Sequence, residues 1–491
     1  MKGSHMIHLV VYHPAPDISV WISEWMKHDV IEKATIVVDH YSGIIPDKAE
    51  IRNGKIGRGR FLNELIQDIK ADYILFADGS RRIQIDSKGL SRILEVADIT
   101  GAGIVYSDFY EQDGDSIHGH PVIDYQVGSI RDDFDFGSLM LFSNAAIRQT
   151  LKKYGPVVDV PLAGFYDLRL KVSAGYPVFH IPEYLYLCHA KIETLSGERL
   201  FDYVDPTNRA VQKEMERIAT MHLKRIGAFL EPVFRSANTC PKEYPVEASV
   251  IIPVRNRVNT IGDAVESALS QKTDFPFNVL VVDNHSSDGT GTVVSQWAQK
   301  DDRVHHIIPQ RIDLGIGGCW NEAIYSEYCG RYTVQLDSDD LYSSPKTLRA
   351  IVDMLHTDDY GMVIGSYTLV NTDMQIIPPG LIDHREWTEE NGRNNALRIN
   401  GLGAPRAFVT DLIREIGFLN VSYGEDYAAA LAVCREFRIG RIYDSLYLCR
   451  RWDGNTDAKL SIDQKNRNDF FKDRIRSLEM MARQPYQKNI E

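Results

Sequence analysis

Three carboxylates within four residues, Asp337, Asp339 and Asp340, close the apolar run Tyr332-Thr-Val-Gln-Leu. Hard oxygen ligands at the end of a strand suit Mg²⁺ or Mn²⁺, which are often held by one or two carboxylates together with substrate phosphates. A second acidic pair, Glu425-Asp426, opens the strongly helical run Tyr-Ala-Ala-Ala-Leu-Ala-Val-Cys. Adjacent carboxylates facing one pocket perturb each other's pKa, and one within reach of a hydroxyl can take its proton. For Glu425, stabilisation by the dipole of the helix it opens is an equally good reason to be acidic. Asp340 reads as support for the two aspartates before it, or as a cap for a helix from Ser343 onward.

The elements that would position these groups are legible upstream. Ser249-Val-Ile-Ile-Pro253-Val-Arg255-Asn256 reads as a short buried strand. Ile261, Ala264, Val265, Ala268 and Leu269 then form one apolar helical face, with Asn259 or Thr260 placed to cap it. Val279-Leu-Val-Val-Asp283 reads as a second strand, breaking into a polar loop through Asp288 and Thr290. Strand–helix–strand with polar loops at strand ends predicts a parallel α/β sheet with its ligand crevice outside the carboxyl ends of the strands. Turn chemistry explains Ser286 and Ser287 well. It explains Asp283 poorly, because that residue ends an apolar strand.

The order of these segments, together with Gly315-Ile-Gly317-Gly-Cys-Trp-Asn321-Glu322 and Gly424-Glu425-Asp426, resembles family 2 glycosyltransferases over residues 248–456. The resemblance implies the GT-A fold (α/β, Rossmann-like, with a mixed, mostly parallel central sheet) and inverting transfer of a sugar from a nucleotide-diphospho-sugar, UDP or GDP being the expected carriers, to a carbohydrate hydroxyl. It implies Mn²⁺ or Mg²⁺ as cofactor, held by Asp339 and by Asp337 directly or through ribose and water. Pro253, Arg255, Asn256, Asp283, Gly315, Gly317, Asn321, Asp337 and Ser338 are the implied nucleotide-sugar contacts. Asp426 is the implied base, beside Glu425. Candidates for the acceptor are His384 and Trp387 in a loop carrying charge, imidazole and an aromatic plane, and Arg450 and Trp452 after the last strand. One departure stands out: Trp452 occupies the place where many family members carry a metal-binding histidine. Asp453 as a replacement, a missing third ligand, and arginines neutralising the diphosphate all remain open at this point.

Composition bounds the remainder. The chain has 491 residues, enough for two domains or more. Its net charge of −13 argues against a nucleic-acid partner. No apolar run has the length of a membrane span. Cys188, Cys240, Cys319, Cys329, Cys434 and Cys449 are scattered and read as reduced thiols of a cytoplasmic protein; peripheral membrane attachment and a homo-oligomer stay compatible with that. The opening MKGSHM, residues 1–6, reads as an expression-vector remnant, with no signal peptide after it.

The chain also repeats itself. Gly57-Arg-Gly59 with Asn63 parallels Gly315-Ile-Gly317 with Asn321; Asp78-Gly-Ser80 parallels Asp337-Ser-Asp339; Leu185-Tyr-Leu-Cys188 parallels Leu446-Tyr-Leu-Cys449. The expected organisation is a GT-A-like copy at 7–230, a proline-interrupted linker at 231–247, the catalytic copy at 248–456 and a helical segment at 457–491. The copies differ chemically. Ser80 stands in place of the second carboxylate, and Tyr166-Asp167 in place of Glu425-Asp426, so the first copy reads as degenerate. Arg58, Arg60, Arg81 and Arg82 keep a second transferase, and hence a two-site polymerase, as a rival. A non-catalytic sugar-binding scaffold is another. A sugar-1-phosphate nucleotidyltransferase would need a glycine-rich basic N-terminal loop that is missing.

Overall fold

The computed structural model describes residues 5–14, 18–39, 46–189, 209–237, 243–357, 359–385, 387–452, 455 and 460–488. Asp453 and Cys240 lie outside them. Two compact units emerge. One combines the residues up to 189 with Ala210–Phe229 and the C-terminal helix Ile462–Lys488; the other is Leu230–Leu460.

Nine strands form the sheet of the first unit: β1 (Ile7–Tyr12), β2 (Ile31–Val38), β3 (Ala49–Asn53), β4 (Tyr73–Asp78), β5 (Ile83–Ile85), β6 (Ile104–Asp113), β7 (Ser116–His120), β8 (Leu139–Ser143) and β9 (Val178–His189). Nine more form the sheet of the second: β10 (Ala248–Val254), β11 (Phe277–Asp283), β12 (Val304–Ile307), β13 (Tyr332–Gln335), β14 (Leu341–Tyr342), β15 (Met362–Val370), β16 (Ile376–Ile382), β17 (Arg406–Val409) and β18 (Ile439–Arg450). The first sheet runs β3-β2-β1-β4-β8-β6-β9-β5 with β7 on β6. The second runs β12-β11-β10-β13-β17-β15-β18-β14 with β16 on β15. Strand for strand, the second order is the first shifted by nine. Both sheets are mixed. The half carrying β10, β11, β12 and β13 is parallel, as the buried apolar runs predict, whereas β17 is antiparallel to both β13 and β15.

The packing repeats too. Asn63 grips the backbone of Val157 from both sides, donating to its carbonyl at 2.8 Å and accepting from its N–H at 2.9 Å. Asn321 does the same to Phe418, at 2.8 and 2.9 Å. A Cβ on Gly59 would lie 1.8 Å from the Val158 carbonyl oxygen, and one on Gly317 1.9 Å from that of Leu419. The glycines therefore let a helix lie directly on the chain that leads into the next helix. In the first unit the helix Ile18–Trp25 buries Ile18, Trp21, Ile22 and Trp25; in the second, Ile261–Leu269 buries Ile261, Ala264, Val265 and Ala268. Thr260 precedes that second helix, but its hydroxyl makes no capping bond.

Two boundaries differ from the sequence reading. Residues from Leu230 onward are held to the second unit. Asn394 bonds both backbone groups of Leu230 at 3.0 Å, and Arg393 donates to the carbonyls of Glu231 and Val233 at 2.8 Å. Buried donors thus fix a proline-interrupted stretch that has no periodic pattern of its own. The C-terminal helix belongs to the first unit. Its buried Asp473 accepts from Ser129 at 2.8 Å and pairs with Arg131 at 3.3 Å, and a Cβ on Gly128 would lie 2.3 Å from the Asp473 carbonyl oxygen.

The Asn clamps yield a test. Asn321→Ala leaves two backbone groups of Phe418 without partners, an expected loss of about 1–3 kcal/mol per unsatisfied group. Denaturant unfolding should show Asn63→Ala and Asn321→Ala each lowering stability on that scale; no change in either variant would contradict the clamp.

Candidate active site

β13 stops at Gln335, and Leu336 carries the chain to Asp337 at the carboxyl end of the parallel half-sheet. Tyr447 on β18 fixes that turn, its hydroxyl accepting the Asp337 N–H at 2.9 Å. A line of side chains then crosses the strand ends. Gln335 donates its amide to Asp337 Oδ1 at 3.0 Å and accepts from Arg406 at 3.0 Å. Arg406 in turn pairs with Asp426 at 2.7 Å. Asp426, in the first turn of the helix Glu425–Glu436, keeps 31% of its side chain exposed. The two acidic motifs, nearly ninety positions apart in the chain, are thus linked through Gln335 and Arg406.

Asp339 is held from the other side. Its Oδ2 accepts from Trp452 Nε1 at 3.3 Å and Asn455 Nδ2 at 3.4 Å, and faces Arg257 at 3.8 Å. Asp340 points elsewhere, accepting the Arg450 N–H at 2.7 Å. It caps no helix, because β14 intervenes and the next helix starts at Thr347. Ser338 is buried between the two aspartates.

Burial sets the electrostatics. Asp337 and Asp340 are both pushed above the usual carboxylate range, chiefly by desolvation and then by neighbouring acids. Glu425 is raised to about 8, by burial first and Asp426 second. Its Oε2 is buried without a hydrogen-bond partner. Among the described residues no group of three or more His, Cys, Asp or Glu side chains could hold a metal ion alone. One or two carboxylates completed by phosphate oxygens is the usual arrangement for Mg²⁺, and a buried acid with a second carboxylate beside it is a donor pair whose repulsion a divalent cation would relieve. Asp337 and Asp339 fit that role.

The remaining candidates sort by place. Pro253 lies opposite Val282 in the β10–β11 pairing, and Arg255 is exposed just beyond it. Asn256, with φ of 55°, binds two loops together: its N–H donates to Ser286 Oγ at 2.9 Å and its Oδ1 accepts from the Ser287 N–H at 2.8 Å. Asp283 is 3% exposed, accepting from the Ser286 N–H at 3.0 Å and facing His306 at 3.4 Å. The asparagine and glycine candidates have structural roles of their own. Asn321 has both amide atoms engaged by Phe418, so the fold fixes its side chain and leaves it one N–H and one lone pair. Gly315 and Gly317 are small because residues 419–421 pack on them, a sufficient reason for glycine without any ligand. His384 and Trp387 are 1% and 7% exposed, Trp387 lying under Arg441 at 4.6 Å; they are interior residues, not an acceptor platform. Arg450 is also buried, pairing with Asp263 at 3.2 Å, whereas Trp452 does reach the site. Gln335 had one sequence signal, a polar residue interrupting an apolar strand. Arg406 closes the small-residue stretch 400–406, which the family resemblance sets near the donor-sugar and acceptor pocket.

Residues 249–409 match the family described as Glycosyl transferase family 2. The matched stretch is 161 of the 491 residues. Asp426 and Glu425 lie just past the matched stretch, brought to it by Arg406. Among relatives of the glycosyltransferase domain, an uncharacterised glycosyltransferase of Rickettsia felis is 36% identical over 141 residues, covering 27% of this chain and 23% of that protein. A Bacillus subtilis protein described as putative teichuronic acid biosynthesis glycosyltransferase TuaG is 34% identical over 98 residues, covering 20% of this chain and 38% of its own. The matches therefore span well under half of the relatives' lengths. Among solved structures, S. aureus TarS 1-349 in complex with UDP-GlcNAc aligns at 22% identity over 48% of this chain and 66% of that chain, with a TM-score of 0.39. Among the described residues no helix is long and apolar enough to cross a membrane.

Glu425 supplies a pH test. Its folded value near 8 lies above the ordinary 4.5, so the folded state keeps a proton that the unfolded chain has released between these values. Stability must fall as pH rises through that window. Glu425→Gln removes the penalty. In chelator its melting temperature should exceed that of the parent at pH 9, by about 2–4 °C per kcal/mol relieved, and match it at pH 4. An equal difference at both pH values would contradict the burial effect.

Proposed function

We propose that the second unit transfers a sugar from a nucleotide-diphospho-sugar, carried on UDP or GDP, to a hydroxyl of a carbohydrate acceptor, with inversion. The supporting observation is the continuous line Asp337–Gln335–Arg406–Asp426, which sets a phosphate-side acid and a solvent-reaching carboxylate on one crevice. Asp426 takes the acceptor proton as the hydroxyl attacks. Glu425 is unsuited to that step at neutral pH because burial keeps it protonated. Arg406 and Gln335 hold Asp426 and Asp337 in register, and Arg257 and Trp452 orient Asp339. A divalent Mn²⁺ or Mg²⁺ held by Asp339 and Asp337 would supply Lewis-acid stabilisation of the diphosphate leaving group. Pro253, Arg255 and Asp283 stand at the strand ends where the nucleoside would lie.

The first unit does not repeat this chemistry in our reading. Its strand pairing puts Tyr73 opposite Ser143, as Tyr332 lies opposite Val409. In that register Phe76 and Met140 occupy the places of Gln335 and Arg406. The polar line is replaced by two buried apolar side chains. The helices beginning at Gly164 and Glu425 match Tyr166 to Tyr427, each donating its hydroxyl to a backbone carbonyl. Phe165, not Asp167 as the sequence reading had it, therefore takes the place of Asp426. Asp167 is sealed at 0% exposure, accepting from Lys171 at 2.7 Å and the Val158 N–H at 2.9 Å. Arg60, Arg81 and Arg82 face Glu64, Glu111 and Glu24. A two-site polymerase is therefore disfavoured.

Two substitutions separate binding from chemistry. Asp339→Ala should abolish Mn²⁺-dependent binding of UDP- and GDP-sugars, read by thermal shift; full binding in that variant would exclude a metal role for Asp339. Asp426→Asn should bind donor like the parent yet lose about 10²–10⁴-fold in turnover. A Glu425→Gln variant that is dead while Asp426→Asn is active would reverse the assignment.

A further inference from the structure

The two sheets share their strand order but diverge at one surface position. On the first, Tyr110 of β6 and Tyr184 of β9 stack with ring centroids 4.7 Å apart and planes at 23°. They remain 42% and 40% exposed. Strand register identifies their counterparts. Asp108 pairs with Tyr184 and Tyr110 with Leu187; in the second sheet Ser366 pairs with Ser445 and Thr368 with Leu448. The equivalent residues are thus Thr368 and Ser445, joined there by a hydrogen bond of 2.7 Å. The fold needs only a small polar pair at this place. Single exposed aromatics are ordinary, but a stacked pair where the sister copy has hydroxyls calls for a ligand.

The surroundings supply a site. The tyrosines flank an open groove of about 990 Å³. Its other wall is the polar face of the helix Ser87–Thr100, with Lys88, Ser91, Arg92 and Glu95 at helical spacing. Arg92 donates to Glu183 at 2.6 and 3.0 Å and to Glu95 at 3.3 Å, which holds planar hydrogen-bonding groups beside the rings. Gly119 of β7 makes room, since a Cβ there would lie 2.9 Å from the Tyr184 ring. The charged lining is Asp86, Glu95 and Glu183 against Lys88 and Arg92, an acidic excess unfavourable to phosphate. A flat apolar face next to fixed carboxylate and guanidinium edges matches a sugar ring, with its C–H face and hydroxyl rim.

We propose that this groove of the first unit binds an uncharged oligosaccharide, with pyranose rings stacked on Tyr110 and Tyr184. The groove's role in holding acceptor rests on the glycosyltransferase reading above; its affinity for glycan does not. Covalent attachment to the transferase unit would raise the local acceptor concentration without further contacts.

The test is calorimetric titration of the full chain, free of nucleotide, with maltopentaose, cellopentaose, mannopentaose and chitopentaose. At least one should bind, and Tyr110→Thr/Tyr184→Ser, which installs the residues of the sister position, should weaken it about tenfold or more. Arg92→Ala should weaken it as well. No binding to any of the four, or binding unchanged in the double variant, would overturn the proposal. The thermal shift with UDP- and GDP-sugars reports the other reading separately. Glycan binding that persists while all nucleotide shifts are absent counts against the transferase alone, and the converse counts against the groove alone.

Discussion

Negative charge removed from water must be compensated, and the strand ends of the second unit are organised by that requirement. Asp337, Asp340 and Glu425 sit where burial drives each toward its protonated form. Arg406 answers Asp426, Arg257 faces Asp339, and the backbone N–H of Arg450 answers Asp340. Gln335 joins the two halves of the arrangement because an amide can donate to a carboxylate and accept from a guanidinium at the same time. Remove that amide and the acids after β13 lose their connection to the helix that carries Asp426.

The frame around this cluster is conservative and the cluster itself is not. Both units keep the same strand order, the same asparagine grip on a loop backbone and the same glycine contact beneath a helix. These features depend on backbone geometry, so they survive whatever side chains line the crevice. The charged line depends on side chains alone. In the first unit Phe76 and Met140 turn its central part into core, Phe165 packs on Phe76 in the place of Asp426, and Asp167 lies in a buried ion pair with Lys171. A carboxylate sealed in that way is a structural element; removing it would leave Lys171 buried without its countercharge. Asp167 cannot be read as a remnant base on the strength of its position in sequence.

Much of the architecture was legible in the chain. Apolar runs ending in polar loops marked β10, β11 and β13, helical periodicity marked the two helices that bury Ile18 and Ile261, and internal repetition marked two copies of one fold. Asp337, Asp339 and Asp426 were legible as candidates for chemistry because acids at the ends of strands and helices have few structural uses. Glycine and asparagine are ambiguous for the opposite reason. Gly315, Gly317 and Asn321 have strong structural uses that look the same in sequence as ligand contacts. His384 and Trp387 were misread because a loop rich in polar residues can still turn its rings inward.

What the sequence determined by itself was the local: which segments are strands or helices, which ends carry acid, and that the pattern occurs twice. These follow from side-chain periodicity and backbone preference over a few residues. Only the tertiary structure decided which acids share a crevice, that Arg406 and Gln335 link them, that Asp167 is sealed, that the C-terminal helix joins the first unit, and that Tyr110 meets Tyr184. Those outcomes rest on strand register and on contacts between residues far apart in the chain, where a shift of one position would turn every side chain to the opposite face.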